Sequence, residues 1–518
     1  MNGWPVLTLL TLTPVVGGLL LLGLGNEQKR LVKGVALGVS LVALVLVGGV
    51  WAAFDPGMAG LQFVERRAWV PGLGVEYFVG VDGLGLVMVL LTAVVVPLSL
   101  LIGCERDGQS GLYHALVLFL QGGLFGVFTA LNFFHWFLYW ELSLVPAFFL
   151  IRLWGGSERR AAATQYLVYA LAGSVALLLG FLALYQGHGT FDFMRLRELG
   201  QSGQLVGPLS ERLGWEGWGG EQLGRLIFAG ILLGFAVKVP LMPFHSWLPL
   251  GYAEAPTPVT MLLTGLMSKM GLYGMLRILL PVFPGEMRWL ATPLLVLALV
   301  TIVFSAAAAY AQTDLKRMFA YSSINHLGYC LLAIFAVGGG AGGVGDRASN
   351  AAAALNGAVL QMFNHGLTAA TLFGFIHLIE RRTGGMREIP AFGGLRAVAP
   401  VLTGLMGVAL FSSLGLPGLN NFVGEFLIFK GTFGLVPWAA VLALPGLMIT
   451  AVFILSMLQS VFNGPLNERW RGFRDLTVRE RAIVAPAVAL MLAVGIYPDW
   501  LVRVFNRTVM GLIAGGAP

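Results

Sequence analysis

The chain has 518 residues, of which 57% are hydrophobic and only 11% charged. Soluble domains carry about 25% charged residues, so this composition excludes a water-soluble globular protein and points to one built inside a bilayer. The net charge of +7 could mark an anionic partner, but its placement in alternate loops reads as membrane topology, and no nucleic acid is expected. Cys104 and Cys330 are the only cysteines, too few for an Fe–S cluster or a Cys-based metal site.

Apolar runs of about 20 residues read as spanning helices, and roughly fourteen fit. They lie near 5–23, 33–53, 80–103, 112–130, 133–153, 163–186, 222–250, 256–281, 289–311, 316–338, 354–379, 399–437, 440–463 and 481–502. The first run, from Trp4 to Leu24, lacks the basic leader of a signal peptide and is read as a span. No convincing strand is found in the membrane core, and no soluble domain interrupts the bundle.

In the fifth run, FHWFLYWELSLVPAFFLI, Glu141 is surrounded by apolar and aromatic residues. A carboxylate there needs a partner or a proton, and Lys238 is the natural partner. The plainer reading is a static ion pair locking two helices, although such pairs are a poor source of net stability. The Gly-rich connection from His188 to Glu221 reads as a surface insertion packed on the bundle. The seventh run, ILLGFAVKVPLMPFHSWLPL, is interrupted: Lys238 stands two residues before Pro240 and five before Pro243, and His245 follows.

Lys269 lies near the middle of TPVTMLLTGLMSKMGLYGMLRILLP, too deep to snorkel easily to either surface. His326 in AYSSINHLGYCLLAIF and His365 in QMFNHGLTAATLFGF each read alone as interhelical hydrogen-bonders. Their company raises them, since they sit in consecutive spans between Lys269 and Glu425 and imidazole titrates nearest neutrality. His377, beside Glu380, Arg381 and Arg382, reads as part of a solvated helix end. The twelfth run, VALFSSLGLPGLNNFVGEFLIF, is the second interrupted one, with Glu425 after Gly415, Pro417 and Gly418. Lys430, five residues on, is either part of an exit path or a snorkelling end.

A bilayer tolerates broken backbone only where protein or a water-filled cavity satisfies the freed groups. A charge at mid-depth costs roughly 2.5–3.5 kcal/mol on insertion scales. Two segments bearing both costs point to ion movement through the membrane. Glu141, Lys238, Lys269, His326 and Glu425 are expected to form a polar chain across the bundle centre. Water bridges are expected too, because helices about 8–10 Å apart rarely bring side chains into contact throughout. No oxygen-rich cation cage stands out, which favours protons over Na⁺.

The two breaks suggest an internal repeat, spans four to eight and then nine to thirteen; an odd number of helices makes the copies inverted. The expected organisation is 1–111 for three N-terminal helices, 112–281 for the first repeat, 289–463 for the second and 464–518 for a fourteenth helix. Lys29, Arg30, Arg106, Arg159, Arg160, Lys316, Arg317, Arg381 and Arg382 are among the basic residues following odd-numbered spans. Those loops are therefore expected on the cytoplasmic side, with both termini outside.

From about Asp82 to Gly464 the sequence resembles the antiporter-like M subunit of respiratory complex I, the proton-translocating NADH:quinone oxidoreductase. The resemblance is carried by YWELSLVPAFFLIRLWGG, GFAVKVPLMPFHSWLP, AYAQTDLKRMFAYSSINHLGY, QMFNHGLTAATLF and LGLPGLNNFVGEFLIF. It implies an all-α integral membrane protein of about 14 transmembrane helices, with two inverted five-helix repeats and two discontinuous helices. It also implies functional roles for Glu141, Lys238 and Lys269, with His326 bridging and Glu425 terminal; His365, Lys430 and His245 are accessory candidates. Related L and N subunits, and the D subunit of multisubunit cation/proton antiporters, carry Lys where Glu425 stands.

The resemblance further implies a translocase subunit with no cofactor of its own. NADH, flavin, Fe–S clusters and quinone are expected on partner subunits. Expected partners are L-type and N-type antiporter-like subunits, small membrane subunits and lipid, in a bacterial plasma membrane. One departure is Leu250, which stands where the family's LPDAH pattern has Asp, and the APTPV wording leans toward the antiporter D subunits. The alternatives are a subunit of a multisubunit Na⁺/H⁺ antiporter or membrane-bound hydrogenase, and a scaffold that moves no ions.

Overall fold

The computed structural model describes residues 4–24, 28–103, 110–214, 220–340 and 345–514; Cys104 and Arg106 lie outside the described residues. Among the described residues eleven helices are long and apolar enough to cross a membrane, and one bent pair makes a twelfth if counted as a single span. A run of twenty residues rises about 30 Å as a helix, the thickness of the hydrocarbon core. The protein is therefore a multi-pass, all-α membrane protein.

In chain order the helices begin with α1 (Val6–Leu22) and α2 (Lys29–Ala53), followed by α3 (Gly83–Ile102), α4 (Ser110–Thr129), α5 (Phe133–Trp154) and α6 (Arg159–His188). Two short helices, α7 (Phe193–Gln201) and α8 (Gly207–Leu213), precede α9 (Gly220–Lys238), α10 (Trp247–Glu254) and α11 (Thr257–Val282). The second half holds α12 (Ala291–Tyr310), α13 (Leu315–Gly338), α14 (Asp346–Thr383), α15 (Pro400–Ser413), α16 (Asn420–Leu435) and α17 (Pro437–Phe462). It closes with α18 (Val478–Ile496) and α19 (Asp499–Ile513).

Short polar side chains set several starts by accepting the orphan N–H groups of the first turn. Asp82 accepts from Gly85 N at 3.0 Å for α3, Asn132 from Phe134 N at 3.1 Å for α5, and Asp314 from Arg317 N at 2.9 Å for α13. At α18 Thr477 and Glu480 form a reciprocal capping box.

The helices sort into inner and outer. α11 is buried along its whole length, and α13, α14, α4 and α3 nearly so, whereas most of α2, α6 and α17 faces outward. Lys269, His326 and His365 all sit on inner helices. Their polar side chains are thus kept from lipid by a ring of more apolar helices.

Two expectations need correction, and one element was not foreseen. A β-hairpin, β1 (Gln62–Val70) and β2 (Val75–Val81), stands between α2 and α3, pairing Glu65 with Val79 and Ala68 with Glu76. It lies outside the apolar runs, and alternating residues such as Val64, Arg66 and Ala68 had no apolar run to announce them. Arg66 on β1 pairs with Glu76 at 2.6 Å and with Asp192 at 2.9 Å. The Glu76 hydrogen bond, with help from Asp192, raises the Arg66 pKa above its ordinary value. The 188–221 connection is not a plain surface loop. It folds α7 and α8, and buried Arg197 donates to Gly511 O at 2.9 Å. The last run, read as one span over 481–502, bends by 67° between α18 and α19. Pro498 stops the first helix there.

Candidate functional site

Both interruptions are real breaks in the backbone. α9 ends at Lys238, and residues 239–246 leave the helix before α10. Protein groups take up the freed polar atoms: Trp247 Nε1 donates to Val237 O at 2.9 Å, and the Thr301 hydroxyl accepts from Met242 N at 3.1 Å. The second break separates α15 from α16, with Gly415 and Gly418 at φ of +81° and +93°, backbone that only glycine adopts freely. Asn364 and Asn420 exchange amide-to-carbonyl hydrogen bonds across it, at 2.6 and 3.2 Å.

Around the first break the cation stands alone. Lys238 is 4% exposed, and its Nζ forms no hydrogen bond or ion pair among the described residues. It lies instead over the rings of Trp140, at 5.2 Å, and Tyr166, at 6.0 Å. The expected contact with Glu141 does not form, and Glu141 Oε1 is buried without a partner. The reason is helical phase. Trp140 takes the face of α5 toward α9, meeting Phe235 edge-on at 5.9 Å. Glu141, one residue later, points about 100° away. The carboxylate is near enough for its charge to act on Lys238, but it stops short of an ion pair.

Beyond α11 the groups touch. Lys269 Nζ donates to Thr264 O at 2.6 Å and contacts Ser268 Oγ at 3.3 Å and His365 Nδ1 at 2.9 Å. The His365 and His326 rings are 5.2 Å apart between centroids. His326 Nδ1 lies 3.0 Å from Glu425 Oε1, and its Nε2 3.1 Å from Ser413 Oγ. Gln361 Nε2 donates to the same Glu425 oxygen at 3.1 Å. All of these side chains are buried.

Glycines make this closeness possible. A Cβ on Gly424 would lie 2.6 Å from Gln361 Oε1, and one on Gly415 would lie 2.7 Å from Glu425 Oε2. The α16 backbone can thus approach α14 until the carboxylate meets the histidine.

Two expected features change. Water is not required between Lys269 and His365, nor between His326 and Glu425, because direct contacts exist. His365, an accessory candidate in the sequence, stands between Lys269 and His326. Gln361 and Ser413 were not singled out. The spacing of Gln361 and His365, four residues apart on an apolar helix, was the available signal. Lys430 is exposed on α16, about 140° around the helix from Glu425, and outside the cluster. His245 stays in the first break, its ring edge-on to Phe304 at 5.6 Å, and joins neither group.

Chemically, an ammonium, two imidazoles and a carboxylate in sequence form a set of groups that each give or take a proton. Among the described residues no three His, Cys, Asp or Glu side chains gather in a metal-binding arrangement.

A bundle of inner polar helices with two broken spans and an internal Lys–His–His–Glu series defines a membrane protein of the ion-translocating kind. The chain belongs to the NADH:quinone oxidoreductase/Mrp antiporter transmembrane family, whose sequence model matches residues 130–452. It is 35% identical to NADH-quinone oxidoreductase subunit M of Rhodobacter capsulatus over 516 residues, 98% of this chain and 96% of that protein. It is also 35% identical to F(420)H(2) dehydrogenase subunit M of Methanosarcina mazei over 523 residues, 99% of each. Among solved structures it resembles a chain of respiratory complex I from Thermus thermophilus with bound NADH. The TM-score is 0.82 and the identity 26%, over 98% of this chain and 99% of that one. A chain of the Mrp complex from Dietzia sp. DQ12-45-1b shares the fold, with TM-score 0.84 and 19% identity over 99% and 98%.

Proposed function

We propose that this protein is a proton-translocating membrane-arm subunit of a complex I-like quinone oxidoreductase. The observation that carries the reading is the contact series Lys269–His365–His326–Glu425, buried on inner helices and ending at a broken span. A scaffold would have no need of it, since an apolar bundle holds neighbours at less cost. Electron transfer on partner subunits, which would carry NADH or another donor, flavin, Fe–S clusters and quinone, supplies the free energy. The subunit answers by moving a proton from Lys269 toward Glu425.

In this reading the partners are L-type and N-type antiporter-like subunits, small membrane subunits and lipid, in a bacterial plasma membrane. Counting α1 as a short span and α15–α16 as one broken span gives fourteen helices. The five spans from α4 to α11 and the five from α12 to α17 are the two inverted repeats. Each has its broken span fourth, and each break carries one of the buried ionisable groups, Lys238 or Glu425. Full-length similarity to M subunits of two quinone- or cofactor-linked dehydrogenases favours this host over a secondary antiporter.

The test is the assembled complex reconstituted in liposomes. Lys269→Met should abolish proton-gradient formation by this subunit while the complex stays intact, and pumping by the unaltered complex should persist in Na⁺-free medium. A strict Na⁺ requirement would move the assignment to the Na⁺/H⁺ antiporter class.

A further inference from the structure

The end of α11 away from the basic loops carries a second buried ionic group, set apart from the Lys–His–His–Glu series. Tyr273 and Arg277 follow Lys269 at successive intervals of four residues, which brings each over the one before. Arg277 thus stands about 12 Å further along the helix axis than Lys269. It lies within a π turn, Met275–Leu279, a widened stretch of helix of a kind frequent at functional sites. Its Nη2 donates to Asp82 Oδ1 at 2.6 Å, and its Nε donates to the Tyr273 hydroxyl at 3.3 Å. The Tyr273 hydroxyl in turn donates to Phe128 O at 3.1 Å. All three side chains are buried.

Packing closes around this group. A Cβ on Gly85 would lie 2.7 Å from Phe128 O and 3.8 Å from the Tyr273 hydroxyl, and one on Gly83 would overlap Val504 O. A gap that cannot hold a methyl group cannot hold a water, so α3 meets α4 and α19 dry at these points. From α7 comes Arg197, also buried. Burial, and then the like charge of Arg277, holds Arg197 below its ordinary pKa, while Asp82 acts the other way. Two guanidiniums therefore share the Asp82 carboxylate.

The plain reading is a static pair tying α3 to α11, although such pairs are a poor source of net stability. It leaves the direction of the hydrogen bonds unexplained. A hydroxyl passes a proton only when it accepts from a group that gives one up and donates to a group that hands one on. Tyr273 meets neither condition: its oxygen is taken by a guanidinium, which keeps its protons, and its own proton is held by a peptide carbonyl. We propose that Tyr273, Arg277 and Asp82 form a proton lock, closing the direct way from Lys269 to this end of the bundle so that a proton on Lys269 leaves toward His365. The inference rests on the transport reading above and adds the residue that keeps the proton on its path. Arg277 is that residue, because an arginine offers donors and no acceptor. A neutral side chain in its place frees the Tyr273 hydroxyl to accept from water. One proton then leaves the Lys269 ammonium and one is released at the bundle end, while the hydroxyl and the waters return to their starting form.

The experiment measures the passive proton leak of liposomes that hold the fully assembled complex, under an imposed diffusion potential and with no electron donor. Arg277→Gln should raise the leak severalfold over that of the unaltered complex. Adding Lys269→Met to it should return the leak to the unaltered level, because the leak passes through Lys269; a general loosening of the bundle would not respond to that change. Asp82→Asn, which keeps both the α3 cap and the guanidinium, should stay tight. A tight Arg277→Gln, a leak that persists when Lys269→Met is added, or an equal leak in Asp82→Asn overturns the lock. If pumping is lost in Lys269→Met alone, the transport reading stands through any of these results; unchanged pumping in that variant overturns both. Should Arg277→Gln fail to assemble, Arg277→Lys decides. A buried amine beside Arg197, Asp82 and Tyr273 gives up its proton more readily than a guanidinium, so the leak should appear as the pH is raised and vanish as it is lowered. An equally tight seal across the pH series overturns the lock.

Discussion

Lys238 and Lys269 are both buried lysines on membrane-spanning helices, and the protein treats them in opposite ways. Lys269 is tied to a carbonyl, a hydroxyl and an imidazole, each within 3.3 Å. Lys238 has two aromatic faces and no hydrogen-bond acceptor, with the buried Glu141 carboxylate nearby but out of contact. Cation–π contacts of this kind are worth about 0.5–2 kcal/mol each, whereas a hydrogen bond to a charged group is worth about 1.5–3. The first region therefore holds a charge loosely enough for a small rearrangement to change its surroundings. The second holds its groups in fixed, direct contacts.

The comparison breaks most completely if Lys238 is dispensable. Lys238→Ala, and equally Glu141→Ala, should abolish most proton pumping by the reconstituted complex although neither residue touches the other. An unchanged gradient in both variants would reduce the first region to packing. Next in size is the far end of the second region. Glu425→Gln keeps the Gln361 hydrogen bond and nearly the same volume but cannot take up a proton, so pumping should fall at least about tenfold, as for loss of an acid–base group. Glu425→Asp should preserve appreciable pumping. If Gln performs as well as Glu, the carboxylate is a hydrogen-bonder at a helix break, and exposed Lys430 becomes the next group to test. The smallest effect sharpens the contrast without breaking it. Trp140→Leu should alter the Lys238 environment by about 1 kcal/mol, a roughly fivefold shift in its charge equilibrium, and leave steps beyond Lys269 untouched. Pumping measured across a pH series would show a displaced profile with little loss at the optimum.

Much of the fold was open to reading because lipid imposes one rule on every span. Apolar runs marked most of the long helices to within a few residues, α14 starting eight residues before its run, and Pro and Gly marked both breaks. The hairpin at 62–81 escaped because its strands alternate charged and apolar residues in water, where no membrane rule applies. The bend after Ile496 escaped because an apolar run continues through it, although Pro498 and Asp499 stood at the place. In the site, residue types were legible and contacts were not. Glu141 and Lys238 looked like natural partners by charge, but the Trp140 ring takes the place beside Lys238 and the carboxylate stops short of contact. His365 looked ordinary because a single histidine is ambiguous. Only the crossing of α11, α13 and α14 puts it between Lys269 and His326.

The short helix α19 has a consequence for the life history of the chain. Its Thr508 hydroxyl accepts from Gly83 N at 3.1 Å, Gly511 O accepts from Arg197, and Asn506 accepts from Asn356 Nδ2 at 2.7 Å. These anchors belong to segments separated by more than a hundred residues each, all of them synthesised long before residue 499. Until α19 leaves the ribosome, the start of α3, helix α7 and the outer end of α14 lack the element that joins them. Insertion of the spans can proceed one by one from the first, yet this end of the bundle can be sealed only after α19 itself has been made. A chain halted anywhere earlier would hold its inserted spans without this latch.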